Sequence, residues 1–198
     1  MNNGDDAINQ GAFWLSNVHK ILSFISFPQD WLKIQEQQDQ VDNCLPLQAV
    51  KPDLESLEFD IYHAWMKVLK RKVQRMIIPA IIESQSSLGP LATPLPASSA
   101  LQFSTGDLLS LLSKIYKTLR GYLIEESVIR QAITELLKLV GVTAFNDLLL
   151  RTNYLSYKRA WQIKHNVERI KEWCASHSMA GGKLELDPLM VRVFFCQL

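Results

Sequence analysis

The sequence has few cysteines, little net charge and no long apolar run, and each shortage argues against a class of protein. Its three cysteines, Cys44, Cys174 and Cys196, show no motif spacing, which indicates a reduced intracellular protein. A net charge of +1 leaves no basic surplus for neutralising phosphates, so a dedicated nucleic-acid binder is not expected. The longest uncharged run, 84–106, is broken by three prolines and cannot form a membrane-spanning helix. The acidic, polar N-terminus does not fit a secretory signal peptide.

The sequence also lacks the residue arrangements that catalysis and cofactor binding need. No glycine-rich phosphate loop is present, and the four histidines are scattered. Cys174 and His177 are three residues apart, but two further ligands for a zinc ion are not evident nearby. The adjacent carboxylates of Glu125 and Glu126 would not face each other on a helix. We therefore expect a protein that is not an enzyme and that holds no metal and no cofactor.

What the sequence does have is apolar residues at helical spacing. An N-terminal stripe ends before Pro28 and consists of Trp14, Val18, Ile21, Leu22 and Ile25. In the next helix Pro52 suits the first turn, and Pro79 should end or kink the helix near Ile78. Its stripe consists of Leu54, Leu57, Ile61, Trp65, Leu69 or Val68, Lys72 or Val73, and Met76. With no hairpin dipeptide between alternating runs, the pattern predicts an all-α bundle of long amphipathic helices.

The C-terminal half contains the most apolar predicted helix. Ser104, three residues before Asp107, has the spacing of a capping box that begins one helix. The helix that follows, within 125–151, is apolar on nearly all sides and should therefore be the central, buried element. Gly141 in its middle costs about 1 kcal/mol in helix propensity, which predicts a close crossing with a neighbour.

Four regions follow from this pattern. We predict N-terminal helices over 1–83, a mobile crossover rich in proline and serine over 84–103, central and C-terminal helices over 104–183, and an atypical tail over 184–198. An exposed apolar tail would be unusual for a natural domain boundary, so we expect a truncated product whose missing helices cover this surface. The apolar side chains concerned are Leu189, Met190, Val191, Val193, Phe194, Phe195 and Leu198.

The segment 146–174 interleaves aromatic and basic residues, as a nucleic-acid-binding surface does, but its spacing favours two packed helices. Ser156 is a suitable N-cap for the second helix. Five residues share its apolar face, which should pack against the preceding helix: Ala160, Ile163, Val167, Ile170 and Cys174. Acidic residues among the basic ones weaken a phosphate track. The turn residues Arg151, Asn153 and Lys158 are candidates either for partner contact or for capping and helix pairing.

A basic cluster within 67–75 is the second candidate surface. Its members Lys70, Arg71, Lys72 and Arg75 spread around most of a helix, which is typical of a solvated helix face. They could also bind an acidic peptide of a protein partner. An alternative function is that of a peripheral membrane protein, in which residues 64–78 form a helix at the membrane interface. This function requires Trp65 and Met66 to point outward.

Four long stretches of the sequence resemble one known family. They are "GDDAINQGAFWLSNVHKILSF", "LESLEFDIYHAWMKVLKRKVQRMIIPAIIESQS", "LLSLLSKIYKTLRGYLIEESVIRQAITELLKLVGVTAFNDLLL" and "FNDLLLRTNYLSYKRAWQIKHNVERIKEWC". In this order they resemble the dilute domain, the globular cargo-binding tail of class V myosins, and they look most similar to fungal members. The resemblance covers about half of the usual domain, truncated at both ends.

The resemblance implies a cargo-binding module without enzymatic activity. Its expected partners are protein adaptors on vesicles or organelles and, if the chain is a fragment, the rest of a myosin heavy chain. It implies a cytoplasmic location on the actin cytoskeleton or on transport vesicles, with membrane contact indirect or weak and no nucleic acid. The four basic-cluster residues and the three turn residues named above are our candidate adaptor contacts, and the turn residues could equally be caps.

Overall fold

The computed structural model describes residues 3–26, 45–84, 103–150 and 156–195, and the regular structure within these ranges is entirely helical. The all-α prediction is therefore confirmed. The elements are α1 (Asn3–Ser26), α2 (Leu45–Ile77), a π-helical segment (Ile78–Glu83), α3 (Thr105–Gly121), α4 (Glu126–Leu150), α5 (Tyr157–Ser176), α6 (Ala180–Leu184) and α7 (Asp187–Phe195). Most of the predicted crossover, 85–102, lies outside the described residues.

The chain divides into two compact units. The first comprises Met1–Val68 with Thr118–Ile124, and the second comprises Leu69–Lys117 with Glu125–Leu198. In the first unit the predicted stripe of α1 is wrong in part, because Trp14 and Ile21 are exposed. The buried face of α1 consists of Ile8, Ala12, Leu15, Val18 and Leu22. Gly11 borders this face, and a Cβ there would lie 1.8 Å from Cδ1 of the buried Trp65, so the bare backbone is what lets the indole pack.

Helix α2 begins earlier and ends where the sequence predicted. It starts at Leu45, so Pro52 lies inside the helix rather than in its first turn. Pro52 has no N–H to donate to the carbonyl four residues earlier in the helix. Because Pro52 is exposed, water can hydrogen-bond to that carbonyl instead. The α-helical turns end at Ile77, as predicted from Pro79, but the chain continues as the π-helical segment instead of leaving the helix.

Ala80, Ile81 and Ile82 of the π-helical segment are buried in the second unit, and carbonyls at this end of the segment receive side-chain donors. The last carbonyls of any helix lack an N–H partner within that helix, and burial removes water as a substitute. Thr105 Oγ1 donates to the Ala80 carbonyl at 2.7 Å, and Asn166 Nδ2 donates to the Ile81 carbonyl at 3.1 Å. Gln162 Nε2 donates to the Ser84 carbonyl. We call this set of three hydrogen bonds the carbonyl clasp.

Helix α3 begins with the predicted cap. Ser104 Oγ and the Ser104 N–H both donate to Asp107 Oδ2 at 2.7 Å, and the Asp107 N–H donates back to Ser104 Oγ at 3.1 Å. The side-chain bond from Ser104 and then the backbone bond hold the pKa of Asp107 below its ordinary value. The capping box predicted from the sequence is confirmed.

Replacing Ser104 with alanine should lower the free energy of unfolding by about 1 kcal/mol at pH 7, because a side-chain cap is lost. A carboxyl with a lowered pKa stabilises the fold above its unfolded pKa, and this contribution is lost as the pH falls through the folded pKa. The difference in the free energy of unfolding between wild type and Ser104→Ala should therefore become smaller below about pH 4. Urea titrations at pH 7 and pH 3 measure the difference in the free energy of unfolding at each pH.

Ser110→Ala is the control, because Ser110 is an exposed residue on the same helix. This variant should change the free energy of unfolding by less than about 0.5 kcal/mol. A loss equal to that of Ser104→Ala would contradict the capping role.

Helix α4 buries nine of its 25 residues. Val142, Leu149 and Leu150 are exposed, so the prediction of a helix buried on nearly all sides is wrong in part. Gly141 marks a close crossing, as predicted. A Cβ on Gly141 would lie 2.4 Å from the Glu185 carbonyl oxygen, between α6 and α7. The closest backbone approaches of α4 are to the π-helical segment, α6 and α7. Within α7, Leu189 and Val193 are fully buried, so the expected apolar surface of the tail is wrong for these two residues. Val191 is exposed, as expected.

Helix α5 has the predicted cap and the predicted buried face. Ser156 Oγ accepts from the Arg159 N–H at 3.3 Å. The five predicted apolar positions are all fully buried: Ala160, Ile163, Val167, Ile170 and Cys174. The closest backbone approaches of α5 are to the π-helical segment, α6 and α7.

Candidate partner-binding surfaces

The outward side of α5 carries two exposed aromatic residues and a half-buried histidine, and we call this surface the α5 outer face. It consists of Tyr157, Lys158, Trp161 and His165, of which the three rings are four residues apart and therefore lie along one side of the helix. Tyr157 is 71% and Trp161 47% exposed, although the opposite side of α5 is fully buried. The Trp161 and His165 rings stack with planes 5° apart and centroids 5.9 Å apart. Exposed, preorganised tryptophan and tyrosine are typical of partner-binding surfaces.

Of the three predicted turn residues, the structure describes one. Lys158 is exposed on the α5 outer face, beside Tyr157. Arg151 and Asn153 lie outside the described residues. Tyr157 and Trp161 were not among the predicted contact residues, although their spacing and their position opposite the predicted buried face could have identified them.

The predicted basic cluster separates into two exposed arginines and two engaged lysines. Arg71 and Arg75 are exposed and four residues apart, so they lie on one side of α2. Lys70 forms an ion pair with Glu135 of α4, with Nζ and Oε2 2.7 Å apart. Lys72 is half-buried and has an interaction of its own. Arg71 and Arg75, which we call the arginine pair, are thus the accessible part of the cluster.

The geometry contradicts the alternative of an interfacial membrane helix over 64–78. That function requires Trp65 and Met66 to point outward, but both side chains are buried. In the described ranges, no helix is long and apolar enough to cross a bilayer.

Cys174 and His177 both take part in packing interactions at the end of α5. Burial raises the pKa of the Cys174 thiol to about 11, so this thiol is protonated at neutral pH. The His177 ring stacks on Trp173 with centroids 4.3 Å apart, and its Nδ1 lies 2.9 Å from the Trp173 carbonyl oxygen. Among the described residues, no group of three potential metal ligands is found.

Comparison with known proteins relates the chain to one family. Residues 131–198 match the DIL domain. The chain is 38% identical over 192 residues to Myosin-2 of Lachancea kluyveri, covering 90% of the chain and 12% of that protein. It is 30% identical over 192 residues to Myosin-2 of Saccharomyces cerevisiae, with the same coverage, and 26% identical over 203 residues to human unconventional myosin-Va. The chain thus spans only about an eighth of the length of its fungal relatives.

Solved structures agree with the sequence relatives. A myosin V cargo binding domain matches with a TM-score of 0.81 and 31% identity, over 100% of this chain and 49% of that one. The Myo2-GTD in complex with Mmr1 matches with a TM-score of 0.82 and 28% identity, again over the whole chain and 49% of the other. The fold and the matched residues define a DIL-domain protein. Within that class, the chain belongs to the family of class V myosin cargo-binding tails.

Proposed function

We propose that this chain is a cargo-adaptor-binding module without enzymatic activity, and that adaptor segments dock on the α5 outer face. The observation that carries the proposal is the stacked Trp161 and His165 pair, held outward on a helix whose other side is buried. An apolar or aromatic segment of a partner would bury these rings, while Lys158 favours acidic residues beside it. Arg151 and Asn153 border this face in sequence and are proposed as further contacts.

The arginine pair is proposed as an auxiliary surface for acidic segments. Arg71 and Arg75 can each bind a carboxylate in two-pronged geometry, and their exposure leaves them accessible. Exposed charges mainly accelerate association and set its salt dependence rather than supply affinity. Lys70 and Lys72 would contribute less directly, since both already have partners in the fold.

The related Myo2-GTD forms complexes with Mmr1, Inp2 and Smy1, which makes these three proteins suitable probes. We expect at least one of them to bind the purified chain. Trp161→Ala should then weaken binding about 30-fold, which corresponds to about 2 kcal/mol, the usual effect of losing a central aromatic anchor. Isothermal titration calorimetry measures the dissociation constants.

Trp14→Ala is the matched control, because Trp14 is exposed to a similar extent, 51%, in the first unit. It should change the dissociation constant less than about twofold, as expected for an exposed residue that is not part of the proposed docking face. Charge reversal of the arginine pair should slow association and flatten its salt dependence. If all three probes fail to bind, or if Trp14→Ala and Trp161→Ala weaken binding equally, the proposed docking face is wrong.

The same proposal covers the cellular role. In a longer myosin heavy chain, this module would tether vesicles or organelles to an actin-based motor in the cytoplasm. Membrane contact would then pass through the adaptor, and no nucleic acid, metal or cofactor takes part. Co-sedimentation with vesicles should require an adaptor, and binding to bare anionic liposomes would contradict this part of the proposal.

A further inference from the structure

The carbonyl clasp uses most of the buried polar side chains that the structure describes. Four polar side chains are buried in the described residues: Ser16, Thr105, Gln162 and Asn166. Three of them donate to the carbonyls of Ala80, Ile81 and Ser84, at the end of one short segment. Buried polar side chains lower stability unless they are hydrogen-bonded, so their concentration at one place indicates a specific structural task.

Two of the three donors lie on α5, beside the residues of its outer face. Gln162 directly follows Trp161, and Asn166 directly follows His165. Successive residues of an α-helix are about 100° apart around its axis. When Gln162 and Asn166 are each bound to a fixed carbonyl, the directions of Trp161 and His165 are fixed as well.

The packing of the apolar side of α5 does not fix the rotation of the helix about its axis as sharply as these hydrogen bonds do. Hydrophobic burial is non-directional, and cores keep their stability after repacking more readily than they keep a unique arrangement. Hydrogen bonds are directional and weaken steeply when the donor angle closes. The two amide groups therefore add an angular constraint that Ile163 and Val167, their neighbours on the buried side, do not supply.

From this geometry we propose that Gln162 and Asn166 are positioning residues for the α5 outer face. Their bonds to the Ser84 and Ile81 carbonyls set the rotation of α5 about its axis and hold Trp161 and His165 in a single outward orientation. The inference rests on the proposed docking function for its consequence in binding, but the orientation of Trp161 can be measured without any partner.

The test compares a clasp variant with a control of matched stability. The clasp variant is Gln162→Met with Asn166→Leu, which keeps side-chain volume and removes both amide donors. The control is Leu136→Ala or Ile133→Val in the buried side of α4, whichever melts closer to the clasp variant. Both are full chains, and all measurements are made well below the lower melting midpoint.

The first readout is the ¹⁹F spectrum of protein labelled with 5-fluorotryptophan, in which Trp161→Phe assigns the Trp161 signal. The Trp161 signal should shift or split in the clasp variant and stay unchanged in the control. An unchanged Trp161 signal in the clasp variant overturns the inference, whether or not an adaptor binds. This readout therefore separates a failure of the inference from a failure of the proposed function.

The second readout is affinity for whichever of Mmr1, Inp2 or Smy1 binds the wild-type chain. The clasp variant should bind about tenfold more weakly, while the control keeps the wild-type dissociation constant. Equal losses in both variants would show a purely structural role and overturn the inference. If the double variant does not fold, both readouts are measured on Gln162→Met alone. This single variant should fold, because Ser84 is only half-buried and the Ser84 carbonyl can hydrogen-bond to water when the amide is removed.

Discussion

Replacing Gly141 with alanine should destabilise the protein by about 3 kcal/mol, the upper part of the range for overpacking. The new Cβ would lie 2.4 Å from the Glu185 carbonyl oxygen and 3.3 Å from its carbon. Both are backbone atoms at the junction of α6 and α7, so they can move only with those helices. The clash outweighs the helix propensity of alanine, which by itself would favour the variant by about 1 kcal/mol.

Gly121→Ala is the matched control for this prediction. Gly121 is also a helical glycine, at the end of α3, but a Cβ there would meet no atom within 4 Å. This variant should be more stable than wild type by about 0.5 to 1 kcal/mol, because alanine loses less backbone entropy on folding. Urea denaturation of both variants measures the two changes. Changes of the same sign in both would show that propensity, and not the crossing at Gly141, decides the outcome.

Placing a carboxylate on the buried side of α5 should cost still more. Val167 is fully buried between Ile163 and Ile170, and Val167→Asp would leave a charge there without a partner, which costs about 3 to 5 kcal/mol. That loss approaches the whole free energy of unfolding of an ordinary domain, about 5 to 15 kcal/mol. Circular dichroism should show a strongly lowered melting midpoint or an unfolded chain.

Trp161→Asp places the same carboxylate six residues earlier, on the opposite side of the helix. Because Trp161 is half-exposed, this change should shift the free energy of unfolding by only about 0.5 kcal/mol, while adaptor binding is lost. A variant pair in which both proteins melt alike would mean that the two sides of α5 are not distinct.

The sequence was informative for α5 because several signals agreed there. The cap at Ser156, the apolar period and the mixed charges all favoured one amphipathic helix, and each of these features is present. In α1 the apolar residues form two adjacent stripes, so periodicity alone could not choose between Trp14 and Leu15. The choice depends on the contact of Trp65 with Gly11, which joins residues far apart in the chain.

The candidate surfaces were predicted less completely than the fold. The basic cluster was identified as one group, but the 3.6-residue period distributes its members around α2, and Glu135 binds one of them. The carbonyl clasp was missed, because nothing in the local sequence shows that the helix after Pro79 continues as π or that the residues Ala80 and Ile81 are buried. Gln162 and Asn166 are polar residues that flank the predicted apolar side of α5, and this position could have indicated that their side chains form buried hydrogen bonds.

The carbonyl clasp also bears on how this part of the chain can evolve. Its acceptors are main-chain oxygens, which remain in place whatever side chains occupy positions 80, 81 and 84. Mutations at these acceptor positions can accumulate without removing a bonding group, whereas each donor depends on the identity of a single residue. Divergence between homologues should consequently be asymmetric: any residue that fits the packing at an acceptor position retains the bond, whereas the three donors should stay constant.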